Sequence, residues 1–400
     1  MTRRTPVRRL TVLGLACVLS VVSTGLFAQT QEPSGPQPVS AAQLTAAINK
    51  LGDLDYDTRT TASRTVRRTP VAQAVPVLLA AVSDHADGYV RYRALVLLTG
   101  FNDPRARDAM RESLASPNDR LRTVGYSFFE HNPDKAMLPE LLTALAKEQA
   151  EFVRPALVRA LAAHGTDSMV QKTLVAEVGR GEDFFRGAVI EALGDYKASY
   201  AFEAIAAVAK LDGPLQDDAA IALGKIGDKR ALEILSALQS SASRQRQPAI
   251  AAGICLLDVN CASHEGYLID TLKFTDQNPG YQELLRGAAA GLGALAINGR
   301  ADAAQALFTI GIPSRDPTRA PVALALGATA LRNTTLMLGI LETHSDRSKA
   351  IALIAEGFDM LEEDLDKERL FALVRRTYWE SKEGSPTRDL MQTLIGSLDF

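Results

Sequence analysis

For a chain of 400 residues, this sequence has few aromatics (6%), one tryptophan and three cysteines. Cys17 sits in an N-terminal leader, which leaves Cys255 and Cys261 of "CLLDVNC". Two cysteines cannot staple a chain of this length, so a disulfide-dense scaffold is excluded, although this pair is spaced for a small local bridge in an oxidising compartment. Scarce aromatics mean that the core must be built from Ala, Leu, Val and Ile. No G-x-S-x-G elbow, H-E-x-x-H, P-loop or dinucleotide fingerprint is present, so the common hydrolytic and nucleotide-binding chemistries have no local signature. His131 and His164 stand at comparable turns, and Cys261 and His264 are three apart, but nothing completes either pair into the three or four ligands a metal needs. No cofactor, metal or catalytic residue is therefore expected.

The leader, "MTRRTPVRRLTVLGLACVLSVVSTGLFAQTQEP", runs from Arg3, Arg4, Arg8 and Arg9 through an apolar stretch to small residues before Gln29. This order reads as a secretory signal peptide over 1–28. Its apolar run is shorter than the ~20 residues of a membrane span, so no stable span is expected after cleavage. Cleavage after Ala28 takes the formal charge from −3 to −7, since four positive charges and no negative ones leave. A chain so acidic lacks the concentrated basic surface that nucleic-acid binding needs. Residues 29–40, rich in Pro, Gln and Ser, read as a disordered lead.

What the sequence does have is a repeat. Stepping from Arg186 in both directions meets Arg59, Arg91, Arg122, Arg154, Gln216, Arg246, Arg286, Arg319, Arg347 and Arg388, mostly 28 to 33 residues apart, with longer steps of 40 and 41. Three residues before most of them stands a residue suited to a helix N-terminus, and small or apolar residues follow at spacings of three and seven. Each register position thus opens an amphipathic helix. A second helix lies between registers, as in "AFEAIAAVAKL". One such hairpin cannot bury its own apolar face, whereas a stack of eleven can.

The phrases "RGAVIEALGDYKASYAFEAIAAVAK" and "QDDAAIALGKIGDKRALEILSAL" resemble HEAT repeats, in particular the short bacterial kind related to phycobilisome lyases. The resemblance implies an all-α, right-handed α-solenoid of about eleven two-helix repeats over 41–400, with the Arg-bearing helices lining the concave side. It also implies a structural ladder of Asp119 with Arg122, Glu151 with Arg154, Asp183 with Arg186, Glu283 with Arg286 and Asp316 with Arg319. From the seventh unit the Arg-bearing helices become apolar almost all round, which requires either self-packing or a partner in the groove. The long step after Arg246 places an inserted segment near 258–282.

The reading is an exported, non-catalytic scaffold of the cell envelope that binds a protein or an extended peptide. Its candidate contacts are Tyr267, Phe274 and Tyr281 in the insertion and Arg59, Arg64 and Arg91 on the first concave helices. The alternative is a lyase-like enzyme or enzyme subunit that holds a small ligand in the groove. Trp379 is expected to cover the open end of the array.

Overall fold

Every register position opens the second helix of a pair or, at Arg246, the turn that leads into it. The computed structural model describes residues 32–398 and 400, and the signal peptide expected over 1–28 lies outside them. Among the described residues there are twenty-two α-helices and no strand. The first four pairs are α1 (Ala41–Lys50) with α2 (Tyr56–Arg68), α3 (Val71–Asp84) with α4 (Gly88–Thr99), α5 (Ala106–Ser113) with α6 (Asp119–His131), and α7 (Leu138–Lys147) with α8 (Arg154–Ala162). Four more follow: α9 (Ser168–Glu177) with α10 (Asp183–Asp195), α11 (Phe202–Ala209) with α12 (Gln216–Ile226), α13 (Ala231–Ser241) with α14 (Gln247–Leu256), and α15 (Cys261–Gln277) with α16 (Gln282–Ile297). The last three are α17 (Ala301–Gly311) with α18 (Arg319–Arg332), α19 (Thr334–Thr343) with α20 (Arg347–Met360), and α21 (Asp364–Glu380) with α22 (Pro386–Ser397). Asp55, Asp87, Asn118, Asp346 and Ser385 each accept a first-turn backbone N–H, which starts five of the second helices at defined residues.

The even-numbered helices form an inner layer and pack on one another far more closely than the odd-numbered outer ones. Small residues make this possible. A Cβ placed on Gly224 would lie 2.4 Å from the carbonyl oxygen of Gly253, and one on Gly357 would lie 2.1 Å from that of Ala323. Neighbouring inner backbones therefore touch directly, while the outer helices keep full side chains between them. A stack held closer inside than outside must curve. The apolar helices α14, α16, α18 and α20 bury their faces in this way, against each other and against their own outer helices. Leu324 on α18 and Met360 at the end of α20 are exceptions, 40% and 43% exposed.

The curvature closes the array. Helix α21 of the last unit packs against α4 and α6 of the second and third units and touches α18. Residues 32–40, expected to be disordered, are tied to this seam. The Tyr378 hydroxyl donates to the carbonyl of Glu32 at 3.0 Å, and Gln37 N–H donates to the carbonyl of Arg68 at 2.7 Å. The Trp379 indole likewise donates to the carbonyl of Pro33 at 3.0 Å, so the tryptophan expected at a free end sits where the two ends meet. The expected inserted segment is mostly helix: the 17 residues of α15 are the outer helix of the eighth unit, lengthened rather than looped. A disulfide joins Cys255 to Cys261 across the turn that precedes it.

Candidate functional site

The register arginines are the first candidates, and the structure uses them up. Arg91 donates to the carbonyl of Val82 at 2.8 Å, Arg186 to Val178 at 3.0 Å, Arg347 to Leu341 at 3.0 Å and Arg388 to Ser381 at 2.8 Å. These carbonyls lie at or just beyond the end of the preceding helix, where the regular intrahelical donors run out. Arg59 does the same for Asp53 and Leu54, at 2.7 and 2.9 Å. The role explains the one exception. Gln216 also carries an N–H donor of sufficient reach, and it meets Ala209 and Leu211 at 3.0 and 3.1 Å.

The expected acid–arginine ladder is formed in three places, Asp119–Arg122 at 2.7 Å, Asp183–Arg186 at 2.9 Å and Glu283–Arg286 at 2.9 Å. In the other two the arginine turns elsewhere. Arg154 meets Glu177 at 3.1 Å rather than Glu151, and Arg319 meets Glu356 at 2.6 Å while Asp316 accepts from the Ala320 N–H. Both partners are further along the chain or on the next unit, and a guanidinium reaches them as readily as an acid one turn back.

The concave face is the second candidate, and much of it is occupied by the chain itself. Four successive carboxylates at the start of α21 point into it. Glu363 meets Arg332 at 2.9 Å, Asp364 meets Arg93 at 3.1 Å and Tyr92, Asp366 lies 2.6 Å from His131, and Glu368 takes Arg67 at 2.7 Å. A second group links the middle units: Arg159 reaches Glu130 and Asp195, each at 2.9 Å, and Lys225 reaches Asp195 at 2.6 Å. Burial raises the pKa of Asp364, but Arg93 and Lys367 outweigh it and hold the carboxyl below its ordinary 3.8. At Asp218 the balance reverses, and Lys225 and Arg246 are outweighed. Loss of solvent, then Glu191 and Asp217, push it up to about 6.

These pairs form a seam of matched charges. The expected concave contact Arg64 lies in this seam, beside Glu32, Arg67 and Arg68, and burial lowers its pKa. The two histidines considered together are separated in role: His131 faces Asp366, while His164 is buried and its pKa is lowered by loss of solvent.

A further candidate is the edge of the array where the first helix of each pair turns into the second. Phe274 and Tyr281 come together there, ring centroids 5.1 Å apart, with the Arg244 guanidinium 5.3 and 5.5 Å from them. Tyr267 stands two turns back on α15 and is outside this group. The same edge carries residues that sequence reasoning passed over. Phe152 is 80% exposed, Phe184 59% and Leu211 62%, in three successive units, and the two phenylalanine rings lie 6.0 Å apart. Leu54 and Tyr56 are exposed on the first unit, with Arg59 against the Tyr56 ring at 5.8 Å. The signal was present in the sequence: Tyr89, Phe152 and Phe184 each stand two places before a register arginine and next to the apolar residue that is buried there, Val90, Val153 or Phe185, so that one of the two must face outward.

Comparison with known families agrees with this architecture. The family model for HEAT repeats matches residues 44–127, and that for the PBS lyase HEAT-like repeat matches 215–241. The chain carries HEAT repeats. No curated protein matches it. Among solved structures, YibA of E. coli is 17% identical, covering 55% of this HEAT-repeat chain and 82% of YibA, with a TM-score of 0.40. Yeast importin-beta (Kap95p) is 12% identical over 85% of this chain and 58% of its own, with a TM-score of 0.39. The complex of CpcE and CpcF of phycocyanin lyase from Nostoc sp. is 19% identical over 82% of this chain and 97% of that one, with a TM-score of 0.26.

Proposed function

We propose that this HEAT-repeat protein is an exported, non-catalytic scaffold that binds a protein or an extended peptide along its exposed edge. The observation that carries this reading is the Phe152–Phe184 pair. Two large aromatic side chains lie beside each other on successive units, both more than half exposed, in a chain whose other phenylalanines are mostly buried. Exposed aromatic anchors set at a fixed spacing suit an elongated partner, and such residues dominate binding energy at interfaces. Export is supported by the basic–apolar–small order of residues 1–28 and by the Cys255–Cys261 bridge, which belongs to an oxidising compartment.

The test is affinity capture from envelope extract with the wild-type chain and with Phe152→Ser/Phe184→Ser. Each protein retained is then purified and titrated against both chains. Direct binding that the double substitution weakens about tenfold or more, as loss of a hot-spot residue does, supports the reading. Binding indifferent to both phenylalanines moves the site elsewhere, and no direct binder at all refutes the scaffold role.

A further inference from the structure

A cavity of about 670 Å³ opens on the edge opposite the aromatic one, between α21 and the turns that lead out of α4, α6 and α18. It exists because the array closes: α21 supplies one wall and units far away in sequence supply the other. Its volume is that of a small-molecule site. The floor is apolar, made by Leu98, Ala106, Leu365 and Leu370, all buried, with the half-buried Phe128 and Leu331 beside them. Leu373 also lines the cavity but is 42% exposed, leaving aliphatic surface uncovered.

The charges on the lining have a direction. Both acids are already satisfied. Asp103 accepts from the Arg105 side chain twice, at 2.8 Å each, and from its backbone N–H at 3.0 Å, and Arg105 holds its carboxyl down to about 2. Asp366 is held by His131 at 2.6 Å and by Arg369 at 3.2 Å. Of the remaining lining cations, Arg107 is engaged by Asp134 at 2.7 Å. Arg376, one turn beyond Leu373 on the same face of α21, has no ion pair or hydrogen bond among the described residues. An uncovered leucine next to an unengaged guanidinium is complementary to an aliphatic chain that ends in an anion. A guanidinium also presents the paired donors that match a carboxylate.

We propose that this cavity binds a free aliphatic carboxylate, with its chain over Leu373 and the apolar floor and its head on Arg376. The stripe from Asp366 to Arg376 is about 15 Å long at 1.5 Å per helical residue, room for a medium-length chain. The site is separate from the aromatic edge, and the proposal stands or falls independently of the scaffold reading.

The test is calorimetric titration of the full chain with decanoate, decan-1-ol and decylammonium, each below its micelle concentration. The expected result is one decanoate per chain, bound about tenfold or more tightly than either analogue, the worth of a charge-assisted hydrogen bond. Arg376→Glu and Leu373→Asp, both at exposed positions, should each weaken decanoate by a similar factor. Arg286→Glu, at an exposed site outside the cavity, should not. Equal binding of decylammonium, unchanged affinity in both cavity variants, or no binding of decanoate would overturn the proposal.

Discussion

The closure of the array makes a quantitative prediction at Glu368. Its side chain is 1% exposed and accepts from Arg67 Nε at 3.1 and 2.9 Å and from Nη2 at 2.7 Å. Arg375 lies 3.9 Å from the same carboxylate, is equally buried, and is pulled down to about 10 by burial despite that charge. Glu368→Gln keeps the shape but leaves two buried guanidiniums facing a neutral amide. Breaking a buried pair in this way costs about 3–5 kcal/mol, most of it the penalty of the stranded charge. The loss falls on the contact between the first and last units, 301 residues apart, and not on any neighbour-to-neighbour interface. In a solenoid those interfaces hold the rest together, so the ring should open before the chain unfolds.

Melting temperature is a poor readout, because a kilocalorie moves it by only about 2–4 °C in chains half this size. Hydrogen exchange resolves the effect. Amides of α2 and α21 should lose protection by about two orders of magnitude or more, as 3–5 kcal/mol implies, while α10 to α16 should not change. Adding Arg375→Met to the variant should recover part of the loss. Exchange in α21 that is unchanged by Glu368→Gln would refute the idea that this buried bridge holds the seam. So would a uniform loss of protection along the chain.

Three further outcomes follow from the same contacts. Asp364, Asp366 and Asp195 are held below 3.8 by their cations despite burial, so they stabilise the fold above that pH and the stabilisation is lost as pH falls through their lowered values. Asp218 has the opposite sign: its raised value makes folding less favourable as pH climbs from 3.8 through about 6. Stability should therefore peak near about pH 4 and fall towards about pH 6, and Asp218→Asn should flatten that decline. Denaturant titrations across pH would contradict this by rising steadily to pH 8. Gly224→Ala and Gly357→Ala, whose Cβ atoms would fall 2.4 and 2.1 Å from backbone oxygens, should each cost about 1–3 kcal/mol, whereas Gly339→Ala, with nothing within 4 Å, should be neutral or gain up to ~1 kcal/mol in urea unfolding. Arg347→Ala strips donors from the carbonyls of Leu341 and Glu342 and should cost about 1–2 kcal/mol, with faster exchange at the end of α19.

The repeat was legible because each helix start is a local event: a capping residue, an arginine and an apolar face all fall within a dozen residues. All eleven register positions open a second helix or, at Arg246, the turn leading into one. The arginines' purpose was legible only in part. An acid three residues back and a carbonyl some seven residues back are both within reach of a guanidinium, and the spacing alone does not choose between them. Closure was not legible at all, since it joins Arg67 to Glu368 and Glu32 to Tyr378, pairs that no periodicity relates.

Yet the residues that cause closure were visible as composition. The glycines and alanines of the later inner helices read equally well as a groove awaiting a partner or as surfaces for one another. Backbone contact at Gly224 and Gly357 decides for the second. Once inner helices touch backbone to backbone, curvature follows, and curvature sustained over eleven units brings α21 of the last unit against α4 and α6 near the start. The concave face, the usual place to look for a partner on such an array, is then largely spent on holding the chain to itself. Surface left for recognition must lie on the edges, and there the two sides differ. One presents aromatic anchors such as Phe152 and Phe184, the other a leucine-floored cavity with a free guanidinium. The small side chains that shape the ring thus also determine where a partner can be met.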